Sequence, residues 1–336
     1  MIRSALAKIA EGKHLTRQEA HDALNVIMSG EATEAQIGGF LVGLLMKGET
    51  AEEIAGFATA MREKAVHIPT HREKLVDTCG TGGDKLDTFN ISTAAAFVAA
   101  GAGVAIAKHG NRCISSSCGS ADVLARLGVD INMPPERVGA CIDEIGIGFL
   151  FAPALHPAMK HAIGPRKELA LRTVFNILGP LTNPAGAKRQ VLGVFDPNVA
   201  ETMARALRDL GSERAMVVHG LVGMDEISTI GETFVAELHE GRVATYTLSP
   251  ADFCVKEPTL EDLFGGEADA CALTLDGVLA GERGPCRDIV LVNAAAAICV
   301  ADLAETLVDG MLMAAQSIDS GAAAGKLEAL KTGVGG

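Results

Sequence analysis

A chain of 336 residues, 48% hydrophobic and 21% charged, has the makeup of a globular protein and excludes a disordered polymer. It is long for a single core, so two domains are expected. A formal net charge of −13 disfavours general nucleic-acid binding and leaves any phosphate ligand to local positive groups.

Residues 1 to about 65 read as helices only. Thr16–Glu19, Thr33–Gln36 and Thr50–Glu53 each have the spacing of a capping box before an apolar-periodic segment, and Gly30 and Gly48 stand where C-terminal caps belong. Ile37, Phe40, Leu41, Leu44 and Leu45 recur at helical spacing, as do Ile54, Phe57 and Met61 in the following helix. Faces this apolar must cover one another, another part of the chain, or a second subunit.

The stretch from Leu75 to Ser120 carries the strongest chemical signal. A strand end at Leu75–Val76 leads into the glycine turn Gly80-Thr81-Gly82-Gly83-Asp84. Asn90-Ile91-Ser92-Thr93 then opens a helix, and a second apolar strand at 103–107 runs into Lys108-His109-Gly110-Asn111-Arg112. Glycines let backbone N–H groups approach a phosphate, and a helix start adds unpaired donors and a positive dipole end. Lys108 and Arg112 would add full charge. The turn alone is weak, being neither a dinucleotide fingerprint nor a P-loop. Both segments at the ends of consecutive apolar runs would share one edge of a parallel sheet, where α/β folds bind ligands. Together they favour phosphate.

Beyond it, strands are expected at 147–151, 190–195, 214–219 and 233–238, and helices at 92–101, 120–127, 135–144 and 198–210. That alternation predicts a largely parallel sheet covered by helices. His156 and His161 fall on a helix after a strand end, off the same-face spacing of a helical metal pair. Arg166–Leu178 reads as one helix ending at Gly179-Pro180. Asp225-Glu226 follows a strand and a glycine loop; it is either a solvated acidic turn or a Mg²⁺ site sharing oxygens with phosphates. Asn293-Ala-Ala-Ala-Ala-Ile-Cys reads as a buried helix, its small residues allowing close packing.

These blocks, with Gly119–Gly128, Gly148–Lys160, Arg166–Pro184 and Val217–Ser228, resemble the anthranilate phosphoribosyltransferase family over most of the chain. Two departures are Ser117-Cys118, where the family often has Lys-Ser, and Leu221-Val222, where Gly or Asp is commoner. The first lowers the positive charge near the phosphates. The resemblance implies an α/β fold: a small all-helical domain for dimerisation (1–66 with about 167–186) and a larger α/β domain with a mostly parallel central sheet (67–166 with about 187–336).

It further implies that 5-phosphoribosyl 1-pyrophosphate meets Gly80, Gly83, Asp84, Thr88, Asn90, Ile91, Ser92, Thr93, Lys108, His109, Gly110, Asn111, Arg112, Cys113, Ile114, Ser115, Ser116 and Ser120. Anthranilate falls to Gly80, Asn111 and Arg166, and Mg²⁺, two ions per subunit, to Ser92, Asp225 and Glu226. No covalent nucleophile is implied; Lys108, His109, Asn111 and Arg166 would position the reactants.

The alternatives are a pyrimidine nucleoside phosphorylase, for whose additional C-terminal domain the chain looks too short, and a non-catalytic nucleic-acid-binding relative, which would need a basic surface. Eight scattered cysteines without a C-x-x-C pair read as reduced thiols. With no signal-peptide core or membrane-length apolar run, a cytoplasmic protein is expected, and the resemblance favours a homodimer through the apolar faces of the helical domain.

Overall fold

The computed structural model describes residues 1–84, 86–112 and 118–333. Four helices open the chain: α1 (Ile2–Ala10), α2 (Arg17–Met28), α3 (Glu34–Lys47) and α4 (Ala51–Glu63). Thr16, Thr33 and Thr50 cap α2, α3 and α4, and Glu19, Gln36 and Glu53 return the bond, so all three capping boxes form. Glu53 also accepts from the Leu15 N–H and from Lys47 Nζ, both at 2.8 Å, so one buried carboxylate ties α4 to α3 and to the α1–α2 connection. Ile37, Phe40, Leu41 and Leu44 pack inside the chain with Ile54, Phe57 and Met61. The two helical faces are therefore covered within the chain, α3 by α1 and the later helix Lys160–Leu169, and α4 by α2 and the later helix Pro197–Asp209; they meet at the edge-on Phe40–Phe57 pair. Leu45, expected on that face, is exposed together with Met46.

The sheet follows in order as β1 (Leu75–Gly80), α5 (Ile91–Gly101), β2 (Ala105–Gly110), α6 (Ser120–Arg126), α7 (Pro135–Glu144), β3 (Ile147–Phe151), α8 (Ala152–Leu155), α9 (Lys160–Leu169), α10 (Phe175–Leu178), β4 (Arg189–Gly193), α11 (Pro197–Asp209), β5 (Arg214–Gly220), β6 (Thr233–His239) and β7 (Arg242–Leu248). Helices α12 (Ala268–Leu279), α13 (Pro285–Val300), α14 (Leu307–Asp319) and α15 (Ala322–Thr332) close the fold. The seven strands form one sheet in the order β3-β2-β1-β4-β5-β6-β7. The first five are parallel, and β6 and β7 add an antiparallel edge.

Three expectations need correction. Strand β2 runs to Gly110 rather than stopping at Ala107, so Lys108 and His109 are strand residues facing opposite sides of the sheet. The single helix expected over Arg166–Leu178 is broken: α9 ends at Leu169, and Ala170 takes a left-handed conformation (φ 50°) before α10 begins. The hairpin strand β7 was not anticipated.

Neighbouring strand residues feed two cores. Val191 joins the face covered by α5 and α13, while Leu192 joins Val217 on the face covered by α11. The second core runs without a break into α1–α4 and into Val174 and Leu178 of the returning segment. Helix α9 packs on α2 and α3, and α10 on α4. The C-terminal ends of β1, β2, β3, β4 and β5 thus meet at one edge. Chain order reverses beside β1, which lies between β2 and β4; open α/β sheets bind ligands at such a point. Among the described residues no helix is long and apolar enough to cross a membrane.

Candidate active site

At that edge the glycine turn leaves β1 and is held by three separate segments. Thr81 N–H donates to the Gly193 carbonyl at 2.9 Å, and Thr81 Oγ1 accepts from the Phe195 N–H at 3.1 Å. Gly82 N–H donates to Asp225 Oδ2 at 2.8 Å. The Gly83 carbonyl accepts from the Arg172 guanidinium. Gly80 and Gly193 are register partners on β1 and β4, and both leave room for the loop after β5. A Cβ on Gly80 would stand 2.3 Å from Asp225 Oδ2, and one on Gly193 1.5 Å from the Asp225 carbonyl oxygen.

That loop delivers the acidic pair. Glu226 Oε1 accepts the Ser92 N–H at 3.1 Å, at the start of α5. The next residue, Ile227, is clamped from α13: Asn293 Oδ1 accepts its N–H at 3.0 Å, and Asn293 Nδ2 donates to its carbonyl at 2.9 Å. Burial raises both carboxyls above the ordinary range; Asp84 adds to this at Asp225, and Asp225 at Glu226. An acidic pair folded into the sheet edge is no solvated turn. Its oxygens suit a hard cation. Among the described residues no three His, Cys, Asp or Glu side chains form a metal cluster by themselves. An ion here would take its other ligands from phosphate oxygens and water, as Mg²⁺ commonly does.

The positive groups divide. Lys108 is buried, donating to the Thr78 carbonyl at 2.5 Å and to Ser92 Oγ at 3.4 Å; burial lowers its pKa against the pull of Asp77, Cys79 and Glu226. Arg112, expected as a second phosphate cation, is already engaged by Asp122 at 2.9 Å and lies 6.0 Å from the centre of the Phe151 ring. Asn111 and Ser120 are linked, Ser120 Oγ accepting the Asn111 N–H at 3.2 Å. Asn90 Nδ2 donates to the Cys118 carbonyl at 3.1 Å, and Thr88 bridges to Phe264. Ile91 is buried, and the buried Thr93 hydroxyl has no hydrogen-bond partner. Cys113, Ile114, Ser115 and Ser116 lie outside the described residues, as does Ser117.

A buried polar cluster lies on the other side of β2. His109 N–H is held by buried Asp77 (3.0 Å), whose other oxygen accepts from Asn183 (2.8 Å). The ring centroids of His109 and His156 are 5.1 Å apart. Burial lowers both imidazoles, His109 to about 3 and His156 to about 4. One His109 nitrogen bonds the Gly179 backbone, but Nε2 and both nitrogens of His156 have no partner. Buried polar atoms are normally satisfied, so three open ones in one place mark a ligand site or ordered water. Arg166 is half-buried on α9 with its guanidinium 5.2 Å from the centre of the Phe175 ring. His156 caps α8 rather than lying in a long helix. Its pairing with His109, the clamp by Asn293 and the contact from Arg172 were missed in the sequence; each joins segments far apart in the chain.

Two family profiles match this chain: "Glycosyl transferase family, helical bundle domain" over residues 3–65 and "Glycosyl transferase family, a/b domain" over 72–324. An anthranilate phosphoribosyltransferase from Moorella thermoacetica is 53% identical over 330 residues, 98% of this chain and 97% of its own. The crystal structure of the Thermus thermophilus enzyme of that name superposes with a TM-score of 0.93 at 45% identity, covering 98% of both chains. The Saccharomyces cerevisiae one, in complex with PRPP and Mg, gives 0.88 at 31% identity over 97% of this chain and 96% of its own.

Proposed function

The chain belongs to the anthranilate phosphoribosyltransferase family, and from that membership we propose that it transfers the phosphoribosyl group of 5-phosphoribosyl 1-pyrophosphate to the amine of anthranilate, releasing pyrophosphate. One observation carries the reading. The glycine turn, the start of α5 and the acidic loop after β5 converge at the switch point, with backbone N–H groups aimed at carboxylate oxygens.

The turn and the Asn90–Thr93 helix start would take the phosphates on their N–H groups. Lys108, held between the Thr78 carbonyl and Ser92, offers a fixed ammonium at the same edge. Ser92, Asp225 and Glu226 would hold Mg²⁺, two ions per subunit, which when bound neutralises charge on the departing pyrophosphate. Gly80, Asn111 and Arg166 would hold anthranilate, Arg166 gripping its carboxylate. No residue is asked to form a covalent intermediate. Rate would come from holding the amine against C1 while the leaving group is neutralised.

The same reading divides the molecule at 1–66 with about 167–186 against the remainder, joins two copies through the helical part, and puts the enzyme in the cytoplasm. The test is direct: mixing protein, phosphoribosyl pyrophosphate, Mg²⁺ and anthranilate should extinguish anthranilate fluorescence. Persistent fluorescence with well-folded protein would retire the assignment.

A further inference from the structure

The returning segment after the Ala170 break makes a contact that none of the substrate assignments above uses. Arg172 leaves the helical side of the molecule and reaches the sheet edge. Its guanidinium lies 4.3 Å from the centre of the Phe195 ring, just beyond β4, and donates to the Gly83 carbonyl. Gly83 has a left-handed φ of 79°, which favours glycine, and a Cβ there would stand 2.6 Å from Arg172 Nη2, so a side chain would displace the guanidinium. Phe195 is itself tied to the turn, its N–H donating to Thr81 Oγ1 at 3.1 Å. Of three consecutive turn residues, Thr81 is fixed by β4, Gly82 by Asp225 and Gly83 by Arg172. The first two anchors belong to the α/β part of the fold. The third comes from the segment that follows the Arg166 helix.

We propose that Arg172 is a positioning residue: stacked on Phe195, it sets the Gly83 peptide and thereby couples seating of the α9–α10 segment to the phosphate-binding form of the glycine turn. This rests on the phosphoribosyl transfer proposed above. A planar guanidinium can lie flat on a ring and donate sideways at once; an ammonium cannot. Arg172 is exposed, so its loss opens no cavity in the core.

The test compares the unaltered protein with Arg172→Ala, Arg172→Lys, Phe195→Leu and the Arg172→Ala/Phe195→Leu pair. Phosphoribosyl pyrophosphate binding is followed by calorimetry and both KM values by anthranilate fluorescence. Arg172→Ala should raise the phosphoribosyl pyrophosphate Kd and KM roughly tenfold, as expected for a lost charge-assisted contact. The anthranilate KM and the melting temperature should move far less. Arg172→Lys should recover little, Phe195→Leu should reproduce part of the loss, and the pair should be no worse than Arg172→Ala alone, the non-additivity of residues in contact. Full recovery in Arg172→Lys would reduce Arg172 to a point charge, and additive losses would uncouple it from Phe195; either overturns the proposal. An unaltered protein that binds no phosphoribosyl pyrophosphate overturns this proposal and the transfer reading together. Normal binding in every variant overturns this proposal alone.

Discussion

Gly193 faces the main chain of Asp225 so closely that a β-carbon on it would stand 1.5 Å from the Asp225 carbonyl oxygen. Gly193→Ala must therefore push the acidic loop away from the sheet edge. Overpacking of this kind commonly costs about 1–3 kcal/mol. Denaturant melts should show a loss of that size, and activity should require more Mg²⁺. A stable variant with unchanged metal dependence would mean that the loop shifts freely.

Removing the charge of the acidic pair tests its task without changing its shape. Asp225→Asn with Glu226→Gln should raise the Mg²⁺ concentration needed for half-maximal rate and lower turnover. Because burial already disfavours both charges, the metal-free double variant should be as stable as the unaltered protein or more so. Unchanged Mg²⁺ dependence would assign the pair a structural role only.

Arg166 is expected to grip the carboxylate of anthranilate. Arg166→Ala should weaken anthranilate binding by about 1.5–3 kcal/mol, roughly ten- to a hundredfold. The phosphoribosyl pyrophosphate constant should move much less. Equal weakening of both substrates would point to folding or closure instead.

The buried imidazoles give a pH signature with a definite sign. His109 and His156 are held near 3 and 4, so the folded chain stays neutral where the unfolded chain takes up protons, below about pH 6.5. Stability from these groups is present above that value and is lost as pH falls towards the lower ones. Asp77 is raised by burial to about 6 and acts in the opposite sense, favouring the folded state as it protonates. Replacing His156 by Leu should shrink the stability difference between pH 4.5 and pH 7 by up to about 3 kcal/mol. Melts at the two pH values would show it, and an undiminished difference would move the effect elsewhere.

The proposed homodimer can use little of the apolar faces of α3 and α4, because these are filled within one chain. Met46 and Leu45 remain open, at 84% and 43% exposure. Light scattering over a dilution series should give twice the chain mass, and Met46→Glu should lower it with folding stability changed by no more than about 0.5 kcal/mol. A monomer at micromolar concentration would end the idea.

Local chemistry made much of this fold legible. Each Thr-x-x-Glu/Gln spacing became a capping box because its two bonds span only three residues. Apolar runs bounded by glycine became strands, and the glycine turn and acidic pair met because parallel strands deliver their ends to one edge. What escaped depends on distance or on weak punctuation. Strand β7 is an edge strand, none of whose residues is fully buried. Its one signal was Glu240-Gly241, where two successive left-handed residues make the tight hairpin turn. The break at Ala170 carries no such mark, since alanine is a helix former. Nor could the sequence say that Arg112 would be spent on Asp122, or that His109 would face His156 rather than the turn.

The backbone N–H groups of Gly82 and Ser92, both in the proposed phosphate-binding segments, donate to Asp225 and Glu226. A phosphate oxygen at either amide would therefore compete with one of the chain's own carboxyl groups. On the proposed reading, phosphate binding there would be an exchange of acceptors: a phosphate oxygen would accept the N–H hydrogen bond that each carboxylate now accepts, leaving the carboxylates to a cation. Phosphoribosyl pyrophosphate arriving without a divalent ion would evict two carboxylates and leave them uncompensated. Arriving with one, it gives them a new partner. Affinity for the sugar phosphate and affinity for the metal should therefore rise together, each measured tighter when the other is present, as reciprocal coupling requires.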